Sequence, residues 1–418
     1  MNDQTSNISL TTKDKSDIIE SAMSLMHHYL TNNFKCLAEP NFEELFNNHI
    51  LNDITLQLSN INYDSELDSD NLNKDVKQII KIAEKMFYTS IIPRRSQETK
   101  ITRINKEKLK GKIEYLKMIP QPVQRTDEWY DFRHNLITAS NAWKCLDTQS
   151  SINQIIVEKC KPIDKNKFNS VNIGSPMHWG TKYEEVSVLY YQTKYNLKVD
   201  DFGCIKHPKY KFLGASPDGI VVDEKSERYG RMLEIKNPLT RKITGIPKKD
   251  YWIQMQLQME TCDLNECDFL ETKFEEYLSK EEYLNDENYT TTNIDCIKGK
   301  IMCFMKDEKP YYEYPPSLIM NDNEYDEWEK KMMKKNQDLT WIKISYWKLT
   351  TISCVLVLRN KLWFENIIQN IEDVWKTIEK ERITGYEHRI AKKRDNKNTV
   401  KSDLKKPVCL FNIDTNGL

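Results

Sequence analysis

Long apolar runs are missing from this 418-residue chain. No stretch approaches the roughly 20 residues that cross a bilayer, so no membrane-spanning helix and no membrane partner are expected. The opening stretch, Met1–Asp17, is polar and mixed in charge and lacks the apolar segment of a secretory signal, so none is expected there. An excess of either charge is also missing. Lys+Arg is 62 against Asp+Glu 63, a net charge of −1. That excludes a wholesale cationic wrapper for nucleic acid and leaves only local basic surface. The ten cysteines are scattered, no CxxC occurs, and the closest pair is Cys262 and Cys267. This excludes a disulfide framework and a zinc ribbon; free thiols in a reducing, intracellular compartment are the expectation. Alanine is sparse while Asn, Lys and Ile are abundant, as in AT-biased coding. What is present is 39% hydrophobic and 10% aromatic residues, which excludes global disorder.

Glycine is the most informative shortage. There are 11, and seven of them fall between Gly174 and Gly245. Glycine collects where the backbone turns tightly or something approaches it closely. The chemistry is therefore sought in that window.

At about 100–200 residues per domain the length allows two or three domains. Residues 1–110 read as a helical N-terminal extension, with apolar positions at helical spacing in Ile18–Leu30 and Val76–Phe87. The acidic stretch Asp53–Asp75 reads as loop, and Arg94-Arg95 as a solvated loop that could touch phosphate. A core follows over 111–277. Trp129–His134 is a short helix, and another begins at Thr138-Ala139-Ser140. Trp179, Tyr183, Val186 and Tyr190 mark one helix face. Val199–Ile235 reads as strand–turn–strand–turn–strand, Asp250–Thr261 as helix and Glu266–Phe274 as strand. Residues 278–340 read as an insertion with a hairpin at Ile297–Tyr312 and a helix at Glu324–Lys335. Residues 341–385 bring strands and an amphipathic helix at Trp363–Ile378. From 386 to 418 the chain is a basic tail: Arg389–Lys406 carries eight Lys/Arg against two Asp.

Ser216-Pro217-Asp218-Gly219 precedes Glu234-Ile235-Lys236 by about fifteen residues. Pro217 and Gly219 punctuate a turn and leave Asp218 at its mouth. Glu234 and Lys236 are two apart on a strand, so they share a face about 7 Å apart at Cα, while Ile235 points into the core. A hairpin that sets Asp218 beside Glu234 makes a paired-carboxylate site with an ammonium next to it. A hard divalent cation suits that oxygen set. Glu-x-Lys also occurs at Glu98–Lys100, Glu271–Lys273 and Glu329–Lys331, so its neighbours single this one out: an apolar strand before it, Asp218 upstream at hairpin distance, and Asn237-Pro238 ending the strand after it. A surface salt bridge is the plain alternative. Glu184 and Glu185 on the Trp179–Tyr190 helix could add a carboxylate. Tyr251, Gln254 and Gln258 form one stripe of the next helix and could bind water or phosphate.

The order Arg133…Thr138-Ala139-Ser140, Trp179-Gly180-Thr181-Lys182-Tyr183-Glu184, Ser216-Pro217-Asp218-Gly219, Leu233-Glu234-Ile235-Lys236 and Tyr251-x-x-Gln254-x-Gln256 resembles the phage lambda exonuclease family. That family includes YqaJ-like viral recombinases, within the PD-(D/E)XK nucleases, and large DNA viruses carry extended versions. The resemblance runs from about Thr126 to Phe274 and resumes at Val355–Trp375. It implies an α/β (α+β), restriction-endonuclease-like core: a mixed central sheet flanked by helices. It implies one or two Mg²⁺ (or Mn²⁺) held by Glu184, Asp218, Glu234 and the carbonyl of Ile235. Lys236 would position the attacking water, Gln254 would be the catalytic glutamine of the following helix, and Arg133 and Ser140 would receive a DNA 5′-phosphate. The family's extra acid about ten residues before Asp218 is absent; Lys206-His207-Pro208-Lys209 stands there.

The expectation is a metal-dependent 5′-to-3′ exonuclease on duplex DNA that leaves 3′ overhangs for recombination or genome processing. A single-strand annealing protein, a homo-oligomeric ring and a location in host cytoplasm, viral factory or nucleus go with the resemblance. The rivals are an endonuclease of the same superfamily acting on DNA or RNA, and an inactive DNA-binding relic. An iron–sulfur nuclease needs four bracketing cysteines, which Cys262 and Cys267 do not supply.

Overall fold

The computed structural model describes residues 10–60, 69–98, 105–124, 126–163 and 172–391. The N-terminal part is helical, as its periodicity predicts: α1 (Thr12–Asn32), α2 (Phe42–Asn60), α3 (Ser69–Ser90) and α4 (Lys106–Met118). Thr11 and Asp14 close a capping box on α1, and its buried face is Ile18, Ala22, Met26 and Leu30. Phe42 stacks on Phe46 at 5.3 Å, and Phe46 meets Phe87 at 5.5 Å, so α2 and α3 share one aromatic seam. The stretch expected to be loop from Asp53 is helix as far as Asn60, and helix resumes at Ser69. Ile54 and Leu58 continue the apolar face that Ile50 begins, which extends α2 into a polar sequence.

After α5 (Asp127–His134) come β1 (Ile137–Thr138), the single turn α6 (Ala139–Ala142), α7 (Gln149–Cys160) and α8 (Pro176–Tyr195). Five strands follow: β2 (Val199–Asp200), β3 (Ile205–Lys206), β4 (Leu213–Ala215), β5 (Gly219–Val221) and β6 (Met232–Lys236). Then come α9 (Lys249–Cys262), β7 (Glu266–Glu276), α10 (Lys280–Asn285), β8 (Lys298–Lys306), β9 (Lys309–Glu313), α11 (Asp322–Lys335), β10 (Thr340–Leu358) and α12 (Lys361–Thr384).

The main sheet has seven strands in the order β2-β5-β6-β7-β10-β8-β9; a smaller sheet has the order β1-β4-β3. In the main sheet β6 and β7 run parallel and the other neighbours antiparallel. The mixed α/β architecture, a mixed sheet flanked by helices with a helical N-terminal region, is therefore as the sequence predicted. Strand alternation explains the two layers. Leu233, Ile235 and Leu270 point to Tyr191 of α8, while Met232, Cys267 and Phe269 point to Trp252 and Ile253 of α9. Tyr183 stacks on Phe274 at 4.4 Å and locks α8 across β7.

The segment read as an insertion, 278–340, contributes β8 and β9 to the same sheet, so its hairpin extends the core. That hairpin turns on Asp307 and Glu308, both at positive φ (49° and 60°). In this glycine-poor chain Asn196 and Asp263 likewise take the left-handed position that ends α8 and α9. The closing strands 341–358 are one 19-residue strand, β10. Among the described residues no helix is long and apolar enough to cross a membrane, and the nine described cysteines are free.

Candidate active site

The turn around Asp218 is not the tight hairpin that Pro217 and Gly219 suggest. β4 belongs to the small sheet and β5 to the large one, so Ser216-Pro217-Asp218 crosses between sheets. The hairpin is β5–β6, with Gly219 paired to Leu233. Gly219 is required by proximity: a Cβ there would lie 2.3 Å from Val199 Cγ1. That close approach seats β2 against β5 and fixes the residue just before it. Asp218 Oδ2 then accepts the Ile235 backbone N–H at 2.7 Å. Glu234 and Lys236 share one face of β6, Lys236 Nζ contacts Glu234 Oε1, and Ile235 turns to the core with 5% exposure.

Burial and then the neighbouring Glu234 push the Asp218 carboxyl well above the usual carboxylate range; Lys236 opposes this and Glu184 adds to it. Burial by itself would lower Lys236, but Glu234 and Asp218 outweigh it and hold the ammonium charged. At neutral pH Lys236 is thus a donor and a positive charge, not a free base. Glu234 is fully buried and has a second partner: Gln258 Nε2 donates to its Oε2 at 2.7 Å and to the Ser216 carbonyl at 3.1 Å.

Gln258, rather than Gln254, is the α9 glutamine that touches the carboxylates. Gln254 lies one turn earlier, half-buried. Position 258 completes the stripe begun by Tyr251, and the buried Glu234 faces it from β6. Helical spacing alone flags the stripe and does not choose its member.

Glu184, on α8, is half-buried and lines an approximately 590 Å³ cleft together with Asp218, Ser216 and Gln121. Glu185 also lines it but is exposed. Arg133 sits over Trp129 at 4.5 Å with its Nη1 3.4 Å from Ser216 Oγ. The same serine carbonyl is held by Gln258, so the carboxylates and Arg133 are joined through Ser216. Ser140 is exposed, its hydroxyl 3.2 Å from that of Thr138. The helix it opens is four residues long, which leaves the hydroxyl rather than a helix end to meet an anion.

Other flagged groups serve the fold. His207 is buried, accepts the Lys209 and Tyr210 N–H groups on Nδ1 at 3.0 and 3.1 Å, and stacks on Phe364. Arg94 is paired with Glu43 and Glu84 instead of lying in a solvated loop. Arg95 is buried and donates to the Ala38 carbonyl at 3.0 Å. The basic tail lies outside the described residues beyond Ala391. Arg389, at its start, is bound to Glu381 and Asn153.

Residues 128–265 match the family model of the YqaJ-like viral recombinase domain. An uncharacterized protein, R354, of Acanthamoeba polyphaga mimivirus is 31% identical over 303 residues, 63% of this chain and 54% of that protein. The chain thus spans about half the length of this curated relative. Among solved structures, the alkaline exonuclease LHK-Exo of Laribacter hongkongensis is 21% identical with a TM-score of 0.37, covering 62% of this chain and 94% of that one. Its complex with dAMP matches at 20% identity and a TM-score of 0.36 over the same shares, 62% and 94%.

Proposed function

We propose, on the premise that residues 128–265 are a YqaJ-like viral recombinase domain, that the chain is a metal-dependent exonuclease acting on duplex DNA. The observation that carries this is the arrangement just before β5 and along β6: Asp218 accepts the Ile235 N–H, the buried Glu234 contacts Lys236 beside it, and the cleft that Asp218 lines also has Glu184 on its wall. Among the described residues no three acidic, imidazole or thiol side chains gather into a closed metal cage. Mg²⁺ does not need one, since it is commonly held by one or two carboxylates, waters and substrate phosphate. The residues fit such an ion. The donors are all oxygen, like charges crowd Asp218, and Gln258 Oε1 is a buried acceptor with no hydrogen-bond partner among the described residues. Asp218 and Glu234 would hold the ion, with the Ile235 carbonyl and Glu184 completing the set. When bound it would supply charge stabilisation at the phosphate and acidify water.

The chain's own groups do the rest. Lys236 donates toward the water and opposes its negative charge as it loses a proton. Gln258 fixes the Glu234 carboxylate and offers Oε1 to a water proton. Ser216 couples this pair to Arg133, whose guanidinium receives the terminal 5′-phosphate together with the Ser140 hydroxyl. Polarity from the 5′ end, 3′ overhangs and an annealing partner belong to this reading. Digestion of linear duplexes labelled at the 5′ or the 3′ end, with Mg²⁺ and with EDTA, tests it. Release from the 5′ end only with the metal is expected. Cutting of covalently closed circles would favour the endonuclease rival instead.

End recognition gives a second measurement. Hydrogen bonds to charged groups contribute about 1.5–3 kcal/mol. Arg133→Ala should therefore slow 5′-phosphorylated ends about 10- to 100-fold and 5′-hydroxyl ends little. Equal wild-type rates on both ends would remove the phosphate pocket from the reading.

The tail gives a third. Duplex binding by lysines and arginines releases counterions, each phosphate contact adding a log–log salt slope of about −0.9. Because Arg389 is tied to Glu381 and Asn153, truncation belongs after Ala391. Removing the tail should make the slope shallower by several units at an unchanged saturated rate. Superimposable slopes measured in Ca²⁺ would make the tail a bystander.

A further inference from the structure

The site draws its parts from two sides of the sheet. Glu234 and Lys236 stand on the face of β6 that meets α9, where Gln258 reaches Glu234. Glu184 comes from α8, which packs on the opposite face through Tyr191 against Leu233 and Ile235. Glu184 and Asp218 line one cleft, so helix and strand must stand at a fixed spacing for all four groups to act together. An error of about 1 Å in such a placement costs about 100-fold. Apolar packing is non-directional and does not fix that spacing by itself. A directional contact between α8 and the end of β6 would.

Asn237 makes that contact. Pro238 disfavours a helical backbone at the residue before it, so the strand's alternation runs one residue past Lys236 and turns Asn237 to the α8 side. There Nδ2 donates to the Gly180 carbonyl of α8 at 3.1 Å. Oδ1 accepts from Thr272 Oγ1 of β7 at 2.5 Å and lies 2.8 Å from Ser187 Oγ of α8. Ser187 and Thr272 are fully buried, with their hydroxyls 2.8 Å apart. These partners fix the orientation of the amide, because a backbone carbonyl only accepts and the nitrogen must face it.

The two α8 anchors bracket Glu184. Gly180, Glu184 and Ser187 stand at i, i+4 and i+7, one stripe of the helix. In an α-helix the carbonyl of residue i accepts the N–H of residue i+4. The carbonyl that Asn237 holds is therefore the one to which the Glu184 N–H is bonded. Holding α8 to the sheet does not call for this bond: Tyr183 stacks on Phe274 at 4.4 Å, and Tyr191 Oη donates to Asp268 at 2.6 Å.

We propose that Asn237 is a positioning residue of the nuclease, setting Glu184 at the distance from Asp218, Glu234 and Lys236 that a divalent ion requires. The inference rests on the metal-dependent reading of this site and adds to it a residue that touches neither ion nor DNA.

The test reads metal binding without DNA: Mn²⁺ is titrated into the protein and the free ion is followed by its EPR signal. Asn237→Ser keeps a hydroxyl for Ser187 and Thr272 but is too short to reach Gly180. It should raise the Kd for Mn²⁺ about ten-fold. In saturating Mn²⁺ it should lower kcat on linear duplex about ten-fold and leave KM for DNA within about two-fold. Glu184→Gln should also bind Mn²⁺ more weakly than the wild type. Adding Asn237→Ser to it should change nothing further, because Asn237 acts through Glu184. Thr272→Val removes one buried hydroxyl and keeps the bond to Gly180; it should lower Tm and leave the Kd for Mn²⁺ within about two-fold. Wild-type affinity in Asn237→Ser overturns the inference. So does an equal further loss in the Glu184→Gln background, or a loss in Thr272→Val as large as in Asn237→Ser, since either makes the network a support of the fold alone. A wild-type protein that binds no Mn²⁺ sinks the metal-dependent reading itself, and this inference with it.

Discussion

Asp218→Ala and Glu234→Ala should each lower DNA cleavage by about 10²–10³-fold or more, the scale on which a single well-placed electrostatic group acts. The protein should stay folded. In Asp218→Asn the metal-free protein should become more stable than the wild type near pH 8. The sign follows from the environment. Burial and Glu234 raise the Asp218 carboxyl well above its usual range, so the folded state binds its proton more tightly than the unfolded chain does. Stability contributed by this group is therefore full below the unfolded value of about 3.9. It is lost as pH rises from there through the raised folded value. Asn removes the titration and flattens that decline. Mg²⁺ should reverse the order by binding the folded wild type and not the variant. Thermal melts across pH, with Mg²⁺ and with EDTA, read this directly. Near-wild-type turnover of Asp218→Ala in saturating Mg²⁺ would remove Asp218 from the site. Lys236→Ala should also lose activity, but it is a less clean variant. It leaves the fully buried Glu234 with Gln258 as its remaining partner, so its stability should fall as well.

Much of this site could be read from sequence because its parts are periodic. The Trp179–Tyr190 spacing predicts α8, and Tyr183, Val186 and Tyr190 are indeed its buried face. Alternation on β6 puts Glu234 and Lys236 together and Ile235 in the core. What escaped depends on partners distant in the chain. Pro217 and Gly219 announce a turn, but nothing local says that the two flanking strands join different sheets. The 278–340 segment is charged and tyrosine-rich, like an inserted loop region. Its strands are recognisable as core only once β10 is seen to be long enough to pair with β7 at one end and β8 at the other. Arg94 and Arg95 follow a proline and look solvated; their acids and carbonyl come from α2, α3 and the segment before α2. The choice of Gln258 over Gln254 needs the angle at which α9 crosses β6, which the helical stripe does not contain.

Asp268→Ala should destabilise the protein by about 3–5 kcal/mol, the usual cost of removing one partner of a buried ion pair. Asp268 is fully buried on β7, where its carboxylate accepts from Tyr191 Oη at 2.6 Å and Arg231 Nη1 at 3.1 Å and also contacts Arg228. Arg231 is itself 1% exposed, and an arginine cannot escape its charge by losing a proton. The alanine variant leaves Arg228 without its carboxylate and Arg231 with Glu266 as its remaining acid, 2.8 Å away. At about 2–4 °C per kcal/mol for a domain of 150–250 residues, Tm should fall by roughly 6–20 °C. Replacing the opposing charge in the same protein should recover part of the loss, because a buried pair exchanged for apolar side chains is often neutral. Asp268→Leu with Arg228→Met is that test. Cleavage measured well below Tm should change little. Asp268 pairs with Leu233 and so lies on the α8 face of the sheet, opposite Glu234, which pairs with Phe269. An Asp268→Ala protein that melts with the wild type would mean that this cluster does not hold β7 to α8. One that is stable but inactive would mean that the two faces of β6 and β7 are coupled, and that the carboxylates depend on the ion cluster behind them.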